Sequence, residues 1–201
     1  MKKKIIIISS PSGAGKTTIC KKLLTKKKSI QLSISYTTRT KRNKETHGED
    51  YYFTKYEDFQ KLKRKKYFIE TAKVFDNFYG SPYKNIQKAF RKNKHILFDI
   101  DWQGAKKLRK NFSQNDIIDF FILPPNKSEL RKRLEQRGRD NKKEIKKRLS
   151  LAVNEISHYV EYKYAIVNDN ITKTVNYIIK IIEFEEILNQ INEKVKFANI
   201  H

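Results

Sequence analysis

Lys16 and Thr17 close a run of small residues, Ser10-Pro11-Ser12-Gly13-Ala14-Gly15-Lys16-Thr17-Thr18. Residues of these types at this spacing can hold a polyphosphate. The first N–H groups of a helix have no intrahelical partner, and the helix dipole favours negative charge there. Gly13 and Gly15 let the backbone fold around phosphate oxygens where a Cβ would clash. The Lys16 ammonium would reach the β- and γ-phosphates, and the Thr17 hydroxyl would ligate Mg2+. Ser12, Gly13, Ala14, Gly15, Lys16, Thr17 and Thr18 are the candidate contacts to a nucleoside triphosphate. The motif is written G-x-x-x-x-G-K-[ST], and Ser10 stands where its first glycine would be.

Two further groups could do chemistry. Arg39 and Arg42 lie close together in a polar stretch between Ser35 and Tyr51, and such a pair can clamp a phosphate by bidentate hydrogen bonds. Asp99 and Asp101 end an apolar run, where a phosphate-loop protein places a carboxylate near Mg2+.

The elements around these residues alternate. Ile5–Ile8 reads as a strand that feeds the loop, and Ile19–Leu24 as the helix that follows it. Ser29–Ser35 alternates polar and apolar, as a short strand does. Residues 36–51 are polar and read as a surface loop. Tyr51–Phe53 and Tyr67–Val74 read as strands, Glu57–Leu62 as a short helix, and Asn77–Pro82 as a turn. Residues 36–82 then form a small, partly β insertion. Tyr83–Arg91 is expected to be a helix with Ile86 and Phe90 on one face. His95–Asp101 and the near-continuous apolar run Ile117–Leu123 are expected strands, the latter covered on both faces. Trp102–Phe112 is an expected helix, and so is Asn126–Gln136, capped by Asn126 with Glu129 three residues on. Glu144–His158 is the next helix, Tyr164–Val167 a strand, and Ile171–Ile191 a long amphipathic helix followed by ten frayed residues. This alternation predicts an α/β fold with a parallel sheet flanked by helices, binding ligands at the carboxyl ends of its strands.

Composition sets bounds. The chain has 201 residues, enough for one α/β domain with insertions. No apolar run is long enough to span a bilayer. The basic start, Met1-Lys2-Lys3-Lys4, leads into an apolar run too short for a signal peptide, and cleavage there would destroy the loop. A cytoplasmic protein without a membrane partner is expected. Cys20 is the only cysteine, which excludes an intrachain disulfide and makes a buried helix residue the simple reading. The net charge of +23 suits polyanions. Its lysines are spread along the whole chain, so a solvated surface explains them and nucleic acid is not expected as a partner.

Taken together, Ser10–Thr17, Ser35–Arg42, Gly48-Glu49-Asp50-Tyr51, Phe68-Ile69-Glu70, Tyr79-Gly80-Ser81, Asp99–Gly104 and Arg133–Gly138 resemble guanylate kinase in order and spacing, over nearly the whole chain. The resemblance implies three parts: a P-loop NTPase-type core (1–35, 83–125 and 159–201), a GMP-binding insertion (36–82) and a helical lid (126–158). It implies that Arg39, Arg42, Tyr51 and Tyr79 hold the GMP phosphate, while Ser35, Glu70 and Asp101 read the guanine and Ser81 lines that site. It implies ATP contacts from Arg133, Arg137 and Arg148, with Arg139 a further candidate, and places Asn168 near the adenine. Lys16, Arg39, Arg137 and Arg148 would be the catalytic cations, and Asp99 would organise Mg2+ through water.

The chemistry of guanine supports the Glu70 assignment independently. Guanine presents adjacent N1–H and N2–H donors that one carboxylate accepts, whereas adenine would leave that carboxylate unpaired. The expected reaction is Mg-dependent transfer from ATP to GMP, with dGMP a second acceptor. The acceptor is already an oxyanion, so no general base is needed. The alternative is a non-catalytic module of the same fold that binds protein partners, a class that typically lacks a working phosphate loop. The oligomeric state is open at this point.

Overall fold

The computed structural model describes residues 3–74, 76–136 and 142–198. Its centre is a five-stranded, all-parallel sheet of β1 (Ile5–Ser9), β2 (Ile30–Leu32), β7 (His95–Asp99), β8 (Ile117–Leu123) and β9 (Tyr164–Val167), in the order β2-β7-β1-β8-β9. β1 is buried along its whole length because both faces are covered. Successive residues of a strand point to opposite faces, and here each face meets different helices. Ile6 and Ile8 pack with Ile19 and Leu23 of α1 (Lys16–Lys26) and with Val175, Ile178 and Ile182 of α7 (Ile171–Ala198). Ile5 and Ile7 pack with Ile86 and Ala89 of α3 (Tyr83–Arg91) and with Ala105 and Leu108 of α4 (Trp102–Arg109).

A second, four-stranded sheet has the order β4-β3-β6-β5, from β3 (Tyr36–Thr37), β4 (Tyr52–Phe53), β5 (Phe68–Val74) and β6 (Asn77–Pro82). Helix α2 (Tyr56–Arg64) seals one side, with Phe59 stacked on Phe68 at 4.8 Å between ring centroids. Helices α5 (Lys127–Gln136) and α6 (Lys142–Ser157) form a small third cluster through Leu130, Leu134, Ile145 and Ala152. The Asn126 side chain caps α5 by accepting the Glu129 N–H at 2.8 Å. Glu129 itself pairs with Arg133 rather than closing a reciprocal box.

Several expectations change. The stretch expected as a surface loop over 36–51 opens with strand β3, whose Thr37 is buried. The helix expected to reach Phe112 ends at Arg109. Asn77–Pro82 is strand β6, not a turn; it pairs antiparallel with β5, Glu70 opposite Ser81 and Thr71 opposite Gly80. Gly80 is in the strand because a Cβ there would lie 2.9 Å from Phe68 and 3.1 Å from Phe59, so packing rather than chain reversal explains it. The strand expected over residues 29–35 spans only Ile30–Leu32. Phe90 lies on the outer side of α3, which buries Asn85, Ile86 and Ala89 instead. Helix α7 continues to Ala198 rather than fraying after Ile191. Among the described residues no helix is long and apolar enough to cross a membrane.

Candidate functional site

The loop between β1 and α1 has the backbone that its glycines suggest. Gly13 and Gly15 have φ of 100° and 99°, which side chains with a Cβ rarely adopt. Both are also hemmed in: a Cβ on Gly13 would lie 2.8 Å from Leu130, and one on Gly15 2.7 Å from the Asn168 amide nitrogen. Ser10 needs no such freedom, since Lys66 and Asn93 are the non-glycine residues with positive φ among those described. Helix α1 begins with no side-chain cap and no acid in its first turn, so its N–H groups and dipole are directed at the space in front of the loop.

Sheet register brings the first carboxylate to this loop. Asp99 pairs with Ile8, two residues before Ser10, and forms an ion pair with the Lys16 ammonium. Burial works against the charge of Lys16, but the Asp99 carboxylate outweighs it and raises the pKa above the ordinary lysine value. The Lys16 Nζ also approaches the Ile100 carbonyl at 3.3 Å.

A cavity of about 160 Å3 opens beside this pair, lined by Lys16, Ser35, Tyr51, Glu70, Tyr79, Asp99 and Asp101. At its back a relay of hydroxyls fixes Glu70. Ser81 donates to Glu70 at 2.6 Å, and the Ser35 and Ser81 hydroxyls are 2.9 Å apart. Ser81 spends its proton on Glu70, so Ser35 donates to Ser81. Burial pushes Glu70 up to about 7, against the lowering effect of the Ser81 hydrogen bond. Burial also raises Asp101, whose Oδ1 accepts the Gly104 N–H at 2.9 Å as the N-cap of α4.

Ser35, Tyr51, Tyr79 and Asp99 also line a wider cleft of about 890 Å3 that reaches Thr17, Thr18, Arg39 and Arg42. Arg39 lies against the Tyr51 ring, 5.5 Å from its centroid, and Tyr51 and Tyr79 meet edge-on at 5.9 Å. A third cavity, of about 400 Å3, is lined by Gly15, Arg133, Asn168 and residues 169–172. Asn168 is fully buried: its amide donates to the Ala14 carbonyl at 2.8 Å and accepts from Thr174 at 3.0 Å. Arg133 donates to the Asn168 carbonyl at 3.0 Å. Arg148 reaches the loop from α6, donating to the Ser12 hydroxyl at 3.0 Å.

Three cavities thus gather the expected residues, apart from Ser12, Gly13 and Ala14 in the loop itself, Ser81 one hydrogen bond behind the first cavity, and Arg148 at the loop. Arg137 and Arg139 lie outside the described residues. Sequence reasoning passed over two acids. Glu45 grips Arg39, and the Glu155 carboxylate accepts the Ser12 N–H at 3.1 Å. Glu155 lies seven residues, two helical turns, after Arg148, so α6 touches Ser12 with both. That spacing is visible in the sequence once Arg148 is suspected. Cys20 is buried in α1 as expected.

A phosphate loop at the strand ends, a neighbouring acid-lined cavity and arginines on the cleft between them define a nucleoside monophosphate kinase. The comparisons agree. The family model described as guanylate kinase matches residues 2–185. The guanylate kinase of Rickettsia prowazekii (strain Madrid E) is 42% identical over 185 residues, covering 92% of this chain and 93% of that protein. That of Rickettsia conorii (strain ATCC VR-613 / Malish 7) is 44% identical over 178 residues, covering 89% and 77%. A crystal structure of guanylate kinase from Anaplasma phagocytophilum superposes with a TM-score of 0.76 at 38% identity, covering 92% of this chain and 86% of that one. The chain belongs to the guanylate kinase family.

Proposed function

We propose that this chain transfers the γ-phosphate of ATP to GMP, and to dGMP as a second acceptor, giving ADP and the nucleoside diphosphate. The observation that carries the acceptor assignment is Glu70: a buried carboxylate, held by Ser81, lining a cavity beside the phosphate-loop lysine. One carboxylate accepting the N1–H and N2–H of guanine is satisfied; facing adenine it would stay unpaired. Asp101 and Ser35 complete the base site. Arg39, Arg42, Tyr51 and Tyr79 hold the acceptor phosphate across the shared cleft.

The donor lies along the loop. Its β- and γ-phosphates take the backbone N–H groups of residues 13–18 and the Lys16 ammonium, while Asn168 and its cavity border the adenine. Lys16 and the arginines offset the charge on the transferring group, and positioning supplies most of the rate. The Thr17 hydroxyl and the Asp99 carboxylate both line the cleft. They are hard oxygen donors that suit Mg2+, which takes one or two protein oxygens together with nucleotide phosphates. When bound, Mg2+ neutralises charge on the β- and γ-oxygens. Residues 36–82 serve as the acceptor-binding part and 126–158 as a lid.

The test is ADP release with Mg-ATP and GMP, AMP, CMP or UMP as acceptor. Turnover with GMP should exceed the others, and Lys16→Ala should lower kcat by about 100-fold or more. Equal turnover with AMP would overturn the base assignment. Folded protein that binds GMP without turnover would favour the protein-binding module instead.

A further inference from the structure

Gly104 is the third residue of α4, buried against β5. Glycine is the weakest helix former after proline, and alanine in its place favours a helix. Its φ is not in the left-handed region, where only Gly13, Gly15 and Gly48 among the described glycines lie. Neither backbone strain nor a turn therefore calls for glycine here. A glycine inside a helix costs about 1 kcal/mol against alanine, and what it leaves room for here is visible in space. A Cβ on Gly104 would lie 2.7 Å from Glu70 Oε2, 3.3 Å from the Glu70 carboxyl carbon and 3.3 Å from Asp101 Oδ1. Its nearest neighbours are the two carboxylates assigned to the base.

Glu70 is anchored through one oxygen. It is 3% exposed, and that oxygen, Oε1, holds the Ser81 hydroxyl at 2.6 Å. Asp101 is tied from the same residue, through the Gly104 N–H at 2.9 Å. Gly104 thus acts on both acids, one through a missing side chain and the other through its backbone.

We propose that Gly104 is a specificity-setting position, its bare Cα and its N–H letting Glu70 and Asp101 converge on one edge of a purine that carries adjacent ring and exocyclic N–H donors. This rests on the guanine reading of Glu70. Gly104 touches no reacting atom; it is a positioning residue. A methyl group at 104 moves the carboxylate rather than the helix, because the clash is with a side-chain end while the helix itself gains from alanine.

The experiment is a double-mutant cycle. Gly104→Ala, Glu70→Ala and the double variant are compared in kcat/KM for GMP and AMP, in KM for ATP and in melting temperature. Gly104→Ala should lower kcat/KM for GMP by about tenfold or more, through KM for GMP, with KM for ATP and the melting temperature essentially unchanged. In the Glu70→Ala background the same change should matter by less than about twofold, because the carboxylate it displaces is gone. An equal loss in both backgrounds, or no loss in the first, overturns the role of Gly104. Should Gly104→Ala fail to fold, the double variant must fold; if it also fails, the role is likewise overturned. The guanine reading fails separately, if Glu70→Ala alone leaves the preference for GMP over AMP intact.

Discussion

The Glu45 carboxylate holds the Arg39 guanidinium with both oxygens, at 2.8 and 3.0 Å from Nη2, and accepts the Arg42 N–H at 2.9 Å. Burial alone would raise its pKa, but the Arg39 and Arg42 hydrogen bonds win and hold it below the usual carboxylate value. An ionised acid therefore sits between the two arginines assigned to the acceptor phosphate. Arg39 also donates to the Thr40 carbonyl at 2.7 Å, so its plane is set before any ligand arrives, which lowers the entropy cost of binding. Glu45→Ala should raise KM for GMP by about tenfold while kcat stays within about threefold. Steady-state kinetics decide the sign. A lower KM would mean that Glu45 competes with the phosphate instead of orienting its partner.

Glu70 makes the enzyme sensitive to pH. Its folded pKa of about 7 lies above the ordinary 4.5, so the folded chain keeps a proton that the unfolded chain releases. Stability from this group is complete below about pH 4.5 and falls as pH rises through 7, by on the order of 3 kcal/mol. Glu70→Gln should therefore gain melting temperature relative to the parent between pH 5 and 8. Guanine needs the ionised acid, so KM for GMP should fall as pH rises through about 7, and Glu70→Gln should lose that step. The variant separates Glu70 from the nucleotide phosphate, which titrates near pH ~6. Parallel pH profiles for the two proteins would remove Glu70 from the base site.

Glu155 and Arg148 bind one residue of the phosphate loop, Ser12, from one face of α6. An acceptor at 155, charged or not, keeps the Ser12 N–H paired. Glu155→Gln should stay within about threefold of the parent in KM for ATP, whereas Glu155→Ala should raise it by about tenfold through loss of the hydrogen bond to the Ser12 N–H. Equal kinetics for the alanine and glutamine variants would leave Glu155 no part in holding the loop.

Asn168 links the loop to the start of α7, and both ends of its amide are used. Asn168→Ala leaves the Thr174 hydroxyl unpaired in a fully buried place and leaves the Ala14 carbonyl only the longer Arg133 contact at 3.4 Å. The unpaired hydroxyl costs about 1–3 kcal/mol and the lost bond to Ala14 about 1 kcal/mol, so a loss of about 2–4 kcal/mol is expected. Urea unfolding measures it. A change under about 0.5 kcal/mol, as at an ordinary surface site, would show that neither bond matters.

What was legible in the sequence was local. The strand–loop–helix around Lys16, the apolar runs of β7 and β8 and the cap at Asn126 are each written in neighbouring residues. The turn expected over Asn77–Pro82 is a strand for a related reason. Gly80 and Pro82 are turn residues by composition, but Gly80 answers to Phe59 and Phe68, which are distant in sequence.

By itself the sequence determined the phosphate loop, the alternating α/β order and the set of acids and arginines available to it, because backbone preference and hydrophobic period act over a few residues. Only the tertiary structure decided which of them meet. The β1–β7 register brings Asp99 to Lys16, pairing of β5 with β6 puts Ser81 against Glu70, and α6 lays Glu155 on Ser12. The Glu155–Ser12 contact spans 143 residues of chain, and only packing of the folded elements sets a distance of that kind.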